Sequence, residues 1–116
     1  MATTTERRCY KRYCASGQAE FWSASVKSIG KLLDVAKGGV LVLMPNKVRL
    51  SHEEKLTVRF TVSDYPGVFE ARGKVARIQL DILAVMFLEE PVGLENLLNW
   101  LDRQEPSEVA ISQKHD

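Results

Sequence analysis

The feature that most constrains the fold is a series of short apolar segments, each of strand length and each bounded by turn residues. The clearest segment is 55–63, in which apolar side chains alternate with polar or charged ones. Its apolar positions are Leu56, Val58, Phe60 and Val62. Because alternate side chains of a strand point to opposite faces, this segment predicts a half-buried β-strand.

A second alternating segment follows at 68–78. Its predicted inward positions are Phe69, Ala71 and Val75, and its outward positions are Glu70, Arg72 and Lys74. Between the two segments, Pro66 and Gly67 suit the central positions of a type II turn. The pair therefore predicts a β-hairpin.

Four further segments complete the predicted sheet. Residues 39–44 and 82–88 are apolar without alternation, which predicts strands covered on both faces. Residues 18–25 and 28–35 are weaker strand candidates.

One helix is predicted at 94–103, where four leucines form a single stripe. They are Leu94, Leu97, Leu98 and Leu101. Six short strands and a terminal helix indicate a mainly all-β fold, a closed or nearly closed antiparallel barrel. We expect the helix to cover an opening or one side of that barrel.

Length and composition fit one soluble domain, since the chain has 116 residues and 45% hydrophobic content. No stretch of about eighteen apolar residues occurs, so no membrane insertion is expected. The start of the chain lacks the apolar run of a secretory signal. Cys9 and Cys14 are expected to be reduced thiols in a cytoplasmic protein. Residues 1–6 and 105–116 are polar without periodicity and are expected to be a flexible N-terminus and a disordered tail.

Charge is distributed unevenly along the chain. Residues 1–50 contain nine Lys and Arg against three Asp and Glu, whereas residues 51–116 contain seven against twelve. This asymmetry suggests that the first half of the chain binds a negatively charged ligand or partner. The net charge of +1 argues against a general polyanion or nucleic-acid binder. A nucleic-acid-binding barrel remains a third hypothesis, behind those given below.

No catalytic or metal-binding constellation is recognisable. His52 and His115 lie in a predicted loop and tail, without a metal ligand at useful spacing. Cys9 lacks a histidine on a rigid element that could act as its base. The sequence therefore predicts neither an enzyme nor a metal or cofactor site.

The first candidate binding segment lies at residues 6–13, ahead of the first predicted strand. It holds four cations and two tyrosines. The cations are Arg7, Arg8, Lys11 and Arg12. Guanidinium groups can bridge phosphate oxygens and can hydrogen-bond the O6 and N7 atoms of guanine. A flexible, solvated arm is the alternative interpretation.

The second candidate segment is 33–42, a polar turn between two apolar strands. Asp34 could accept hydrogen bonds from the N1–H and N2 amino groups of guanine. Gly38 and Gly39 permit positive φ and would let a ligand approach the backbone closely. The alternative is an ordinary tight hairpin with an aspartate in its turn.

Together, the two segments resemble the PilZ domain family of bacteria. That family has an RxxxR motif before the first barrel strand and a [DN]xSxxG motif at the turn between the second and third strands. Here Arg8-Cys9-Tyr10-Lys11-Arg12 matches the first motif. Asp34-Val35-Ala36-Lys37-Gly38-Gly39 matches the second except at its serine. The strand 73–77 and the closing helix are further points of similarity, and the resemblance predicts a PilZ domain at 7–104.

The resemblance implies a six-stranded antiparallel barrel that holds cyclic di-GMP on its outer surface, often as an intercalated dimer. The implied site contains Arg8, Arg12, Asp34, Ala36 and Gly39. Arg7, Lys11 and Gly38 are implied supplementary contacts. The arginine arm is expected to become ordered on the ligand and to signal to an unidentified effector protein. A cytoplasmic monomer or weak dimer without a cofactor is expected.

One position departs from the motif, because Ala36 stands where the family has serine. The loss of one hydrogen bond, worth about 0.5–1.5 kcal/mol, should weaken binding without abolishing it. The alternative is a PilZ-like protein-interaction module whose nucleotide binding is weak or lost.

Overall fold

The computed structural model describes residues 10–45 and 48–104. Six antiparallel strands are followed by one helix, as predicted. The elements are β1 (Arg12–Trp22), β2 (Lys27–Ala36), β3 (Gly39–Leu43), β4 (Lys55–Val62), β5 (Tyr65–Gln79), β6 (Ile82–Phe87) and α1 (Leu94–Gln104).

The strands form a closed barrel in the order β1-β2-β3-β6-β5-β4. The barrel closes because β1 pairs with β2 along one side and with β4 along the other. The prediction of an antiparallel barrel is therefore confirmed.

Inward side chains from all six strands fill the barrel. The alternating positions predicted for β4 are all buried, as are the three predicted for β5. At the centre, the ring of Phe60 stacks on Phe69 with centroids 5.3 Å apart and on Phe87 with centroids 6.3 Å apart. Alternation was thus a reliable guide to β4 and to β5 as far as Val75, because each has one face in the core and one in solvent.

Helix α1 closes one end of the barrel. Its leucine stripe is confirmed, since Leu94, Leu97 and Leu101 are buried within the same apolar cluster as the barrel interior. The barrel wall is continuous, so these side chains reach the interior through an open end. Trp100 packs against Tyr65 near the start of β5, with ring centroids 5.1 Å apart.

The outer face of β3 and β6 differs from the prediction that both faces of these strands are covered. Leu43, Ile82 and Met86 are exposed. The helix lies over the end of the barrel and not over this side, so the outward apolar residues of β6 are not explained by helix packing.

The turn between β4 and β5 also differs from the prediction. Val62 pairs with Tyr65, which places the turn at Ser63 and Asp64, with Asp64 at φ 69°. Pro66 and Gly67 lie inside β5, where the β4–β5 register shifts. An irregularity of this kind tolerates proline because the local ladder is already interrupted.

Candidate ligand-binding groove

A groove of about 1060 Å³ lies on the outer surface of the barrel, across β2, β3, β6 and β5. Two rows of cross-strand partners run along its base and extend beyond its lining at Cys14 and Lys74. One row contains Arg12, Ala36, Gly39, Met86 and Lys74, and the next contains Cys14, Asp34, Leu41, Ala84 and Arg77. Ala36 and Gly39 in the first row and Ala84 in the second are small, so the surface is low there and a flat ligand could lie on it.

Most of the described residues predicted for the site line this groove. They are Arg12, Asp34, Ala36, Gly38 and Gly39. Arg7 and Arg8 lie outside the described residues. Lys11 does not line the groove, and its Nζ lies 3.5 Å from Oδ1 of Asp102 on α1.

Arg12 is the first residue of β1, whereas the sequence placed it in a segment ahead of a strand beginning at residue 18. It pairs with Ala36, and Cys14 pairs with Asp34. Arg12 and Asp34 are therefore diagonal neighbours on adjacent strands, roughly 7–8 Å apart. Within the described part of the chain neither forms an ion pair, so both charges are available to a ligand.

Asp34 lies within β2 and not in the turn. A β-bulge directs its side chain to the groove. Leu32 pairs with Val42 and Asp34 pairs with Leu41, which leaves Leu33 as an extra residue. Leu32 is buried, so regular alternation would point Asp34 into the barrel. The bulge reverses that direction.

The structure shows a steric role for the two glycines within the domain. Neither has positive φ, because Gly67 and Gly93 are the glycines with positive φ among the described residues. A Cβ at Gly39 would overlap the backbone carbonyl of Val85 on β6. A Cβ at Gly38 would lie 2.8 Å from Cδ2 of Tyr10. Glycine is required at 39 by the close approach of β6, and at 38 it makes room for an aromatic ring of the arm.

Residues 10–13 alternate between the groove and the helix. Tyr10 and Arg12 line the groove. Lys11 and Tyr13 point away from the groove, toward α1. The Tyr13 hydroxyl donates a hydrogen bond to Oδ1 of Asp102 there, at 3.1 Å. This short segment therefore connects the groove directly with α1.

Charges of both signs line the described part of the groove. The cations are Arg12, Lys37 and Arg77, and the carboxylates are Asp34, Glu89 and Glu90. One of these carboxylates is engaged, since Glu89 lies 3.7 Å from Arg72. A groove with equal numbers of cations and carboxylates favours a ligand that presents both hydrogen-bond donors and acceptors over a simple polyanion.

Several groove residues were not singled out from the sequence. Arg77, Met86, Glu89 and Glu90 all contribute to the lining. Arg77 had a recognisable signal, because a charged residue in the inward phase of an alternating strand indicates a register shift. The two glutamates follow the end of β6 and carried no comparable signal.

Other kinds of site find no support in the residues that the structure describes. No group of three or more potential metal ligands comes together in 10–45 and 48–104. Cys14 is exposed and does not line the groove. Within these ranges, no helix has the length and apolar character needed to cross a membrane.

A comparison with family models matches residues 6–102 to the PilZ domain. The chain belongs to the PilZ domain family. A comparison with curated proteins found no match.

Three solved structures share this PilZ fold. The inhibitor of motility MotI (DgrA) of Bacillus subtilis has a TM-score of 0.71 at 17% identity, covering 87% of this chain and 52% of that one. The chain thus spans about half the length of MotI. The PilZ domain of YcgR from Escherichia coli, solved with c-di-GMP, has a TM-score of 0.67 at 19% identity, covering 90% and 98%. The PilZ domain of CeSA from a cellulose-synthesizing bacterium has a TM-score of 0.61 at 17% identity, covering 82% and 98%.

Proposed function

We propose that this PilZ domain is a non-enzymatic receptor for cyclic di-GMP, which binds in the groove on β2, β3, β5 and β6. The observation that supports this most strongly is the adjacent placement of Arg12 and Asp34, both facing a groove with a low base. Guanine presents acceptors at O6 and N7 and donors at N1 and N2. An arginine complements the first edge and a carboxylate the second.

The balance of charges supports a nucleotide more than a nucleic acid. Nucleic-acid affinity comes mainly from many lysine and arginine contacts to phosphates. The described groove has as many carboxylates as cations. The YcgR domain, of the same fold, was solved with c-di-GMP, which supports the same ligand here.

The arginine arm is the remaining part of the proposed binding site. Arg8, with Arg7 beside it, would join Arg12 on the nucleotide, and binding would order the arm. Ordering of a segment by a ligand is a common switching mechanism. Lys11 and Tyr13 adjoin Arg12 and contact Asp102, so a change in the arm would reach α1 and alter the surface offered to a partner protein.

Calorimetric titration of the purified protein with cyclic di-GMP tests this proposal. We expect saturable binding, and we expect Arg8→Ala and Arg12→Ala each to weaken it by about 5- to 150-fold, the equivalent of about 1–3 kcal/mol per arginine contact. Arg59→Ala is the matched control, because Arg59 lies on the outer face of β4 and pairs with Glu70 at 3.0 Å. Absence of binding by the parent protein would reject the proposal.

A second candidate function is a protein-interaction module with weak or lost nucleotide binding. The observation in its favour is Ala36, which lines the groove and offers no hydroxyl to a ligand. The same titration separates the two functions. Binding that is lost in the arginine variants favours the receptor, and absence of binding favours the interaction module.

A further inference from the structure

An apolar pair lies on the outer wall of the barrel, outside the groove. Leu43 at the end of β3 pairs with Ile82 at the start of β6, and the two residues are 39% and 38% exposed. Neither lines the groove, so a nucleotide bound there leaves them uncovered. Helix α1 packs at the opposite end of the barrel, beside Tyr13 and Tyr65. The outward positions of β4, by comparison, are all polar or charged, as is usual for a barrel wall in water.

Charged residues of opposite sign stand on the two sides of this apolar pair. Lys31 on β2 pairs with Leu43, and Asp81 in the β5–β6 turn directly precedes Ile82. Both charged residues are exposed, and neither forms an ion pair within residues 10–45 and 48–104. Two strand spacings, or about 10 Å, separate the backbones of Lys31 and Ile82. The order across the wall is therefore cation, apolar, apolar, acid.

This order is complementary to itself. A two-fold axis that runs along the strands, between Leu43 and Ile82, brings the face of one copy against the same face of another in reverse order. Leu43 of one copy then faces Ile82 of the other, and Lys31 faces Asp81. In such an isologous contact each pair forms twice, so both apolar residues and both charges obtain partners.

Two further exposed apolar residues match under the same rotation. Ile29 lies two positions before Lys31 on β2 and is 55% exposed, and Leu80 lies in the β5–β6 turn and is 90% exposed. Both are one step from the Leu43–Ile82 row toward the same end of the barrel, so Ile29 of one copy faces Leu80 of the other. Leu80 has φ 55°, a conformation that leucine disfavours. Neither the backbone nor solvation of a single chain favours leucine there, whereas a contact with a second chain does.

We propose that two copies of this chain associate through this face, which we call the dimer face. The inference goes beyond the proposed function, because no residue of the face lines the groove. The area is small beside the roughly 800 Å² per partner of a stable interface, so the dimer is weak and forms at high protein concentration. The dimer face contains Ile29, Lys31, Leu43, Leu80, Asp81 and Ile82.

Sedimentation velocity of the ligand-free protein, at concentrations up to about 1 mM, tests the proposal. The parent should shift from one chain toward two as its concentration rises. Ile82→Glu should raise the dissociation constant at least roughly tenfold, because it buries a carboxylate at the centre of the contact. Val92→Glu is the matched control, since Val92 is a 93% exposed apolar residue ahead of α1 and outside the dimer face. It should associate like the parent, and amide NMR spectra show that both variants are folded.

A charge exchange tests the pairing directly. Lys31→Asp alone and Asp81→Lys alone should each weaken association, because each variant places like charges opposite one another. The double variant carries both changes and should recover the association of the parent. Recovery requires that the two positions face each other between copies, since within one chain they form no ion pair.

Three results would overturn the inference. One is a parent that remains monomeric at about 1 mM, which would leave this face to a different protein. Another is association of Ile82→Glu that equals the association of the parent. The third is a double charge variant that associates no better than the single ones.

Discussion

The Tyr13 hydroxyl donates a hydrogen bond to Oδ1 of Asp102 at 3.1 Å, and this bond joins the start of β1 to the last turns of α1. Lys11 approaches the same oxygen at 3.5 Å. Arg12, between them, faces the groove. A ligand that moves Arg12 must therefore act on a segment that is attached to the helix on both sides of it.

Asp102→Ala should disconnect the arm from the helix. We expect cyclic di-GMP still to bind, because Asp102 does not line the groove. We expect the ligand-induced NMR shift of the Trp100 indole in α1 to shrink. Loss of stability should not exceed about 1 kcal/mol, since the ion pair is exposed. Asn99→Ala, on the same helix, should leave the shift unchanged, and an undiminished shift in Asp102→Ala would contradict the coupling.

Asp34→Asn should reduce the preference for guanine. The carboxylate accepts from both N1–H and the N2 amino group, whereas the amide of asparagine turns a donor toward one of them. The parent should therefore bind cyclic di-GMP more tightly than cyclic di-IMP, which lacks the amino group. Competition titrations with the two ligands should show a smaller difference in Asp34→Asn. Asp81→Asn, at an exposed turn, should keep the parent's preference.

Ala36→Ser restores the hydroxyl of the family motif in the groove. We expect cyclic di-GMP affinity to rise by about 2- to 12-fold, corresponding to one hydrogen bond of about 0.5–1.5 kcal/mol. Ala84→Ser places the same hydroxyl elsewhere in the groove and serves as the comparison. Equal gains in the two variants would show that position 36 has no special relation to the ligand.

Gly39→Ala should destabilise the barrel itself. Its Cβ would overlap the carbonyl of Val85, so β3 and β6 would have to separate locally, at about 1–3 kcal/mol. Gly38→Ala meets only the exposed ring of Tyr10 and should lower stability by no more than about 0.5 kcal/mol. Urea unfolding of both variants without ligand measures the difference. Similar stabilities would mean that β6 does not impose glycine at 39.

Glu54 should contribute stability that depends on pH. Hydrogen bonds from the Ser23 side chain, the Ser51 backbone N–H and the Ser25 hydroxyl lower the pKa of Glu54 below its ordinary value of 4.5. Because the pKa of Glu54 is lower in the folded protein than in the unfolded chain, the ionised carboxylate stabilises the fold at pH values above its unfolded pKa. This stabilisation is lost as the pH falls through the folded pKa. Unfolding free energies measured downward from neutral pH should fall less steeply in Glu54→Gln than in the parent. The exposed Glu90→Gln tests whether removal of any carboxylate has this effect.

The sequence predicted the elements that have one buried and one solvated face. The alternation around Phe60 and the leucine stripe of α1 each identified a face of the core, because one period persists through the whole element. The start of β1 was missed, since Arg12, Cys14 and Ser16 are polar or small and resemble a loop until they are paired with β2.

Alternation could not show where a strand changes its phase. Asp34 and Arg77 both lie beyond a bulge, and a simple count of alternating residues assigns each of them to the barrel interior. Only pairing with the neighbouring strand reveals the extra residues Leu33 and Ala76. The motif therefore located Asp34, whereas Arg77 is absent from both motifs, and the charge in its inward phase indicated a register shift but not which surface the side chain reaches.

The pairing of β1 with both β2 and β4 has a consequence for how a partner protein can recognise this domain. Within the described strands the ring of hydrogen bonds is complete, so an incoming peptide has no sheet edge to extend. A partner therefore cannot add a strand to the barrel wall through backbone hydrogen bonds. A partner must distinguish the free and the ligand-bound domain by side chains and by the path of the arm, because these are the parts that a ligand in the groove can change.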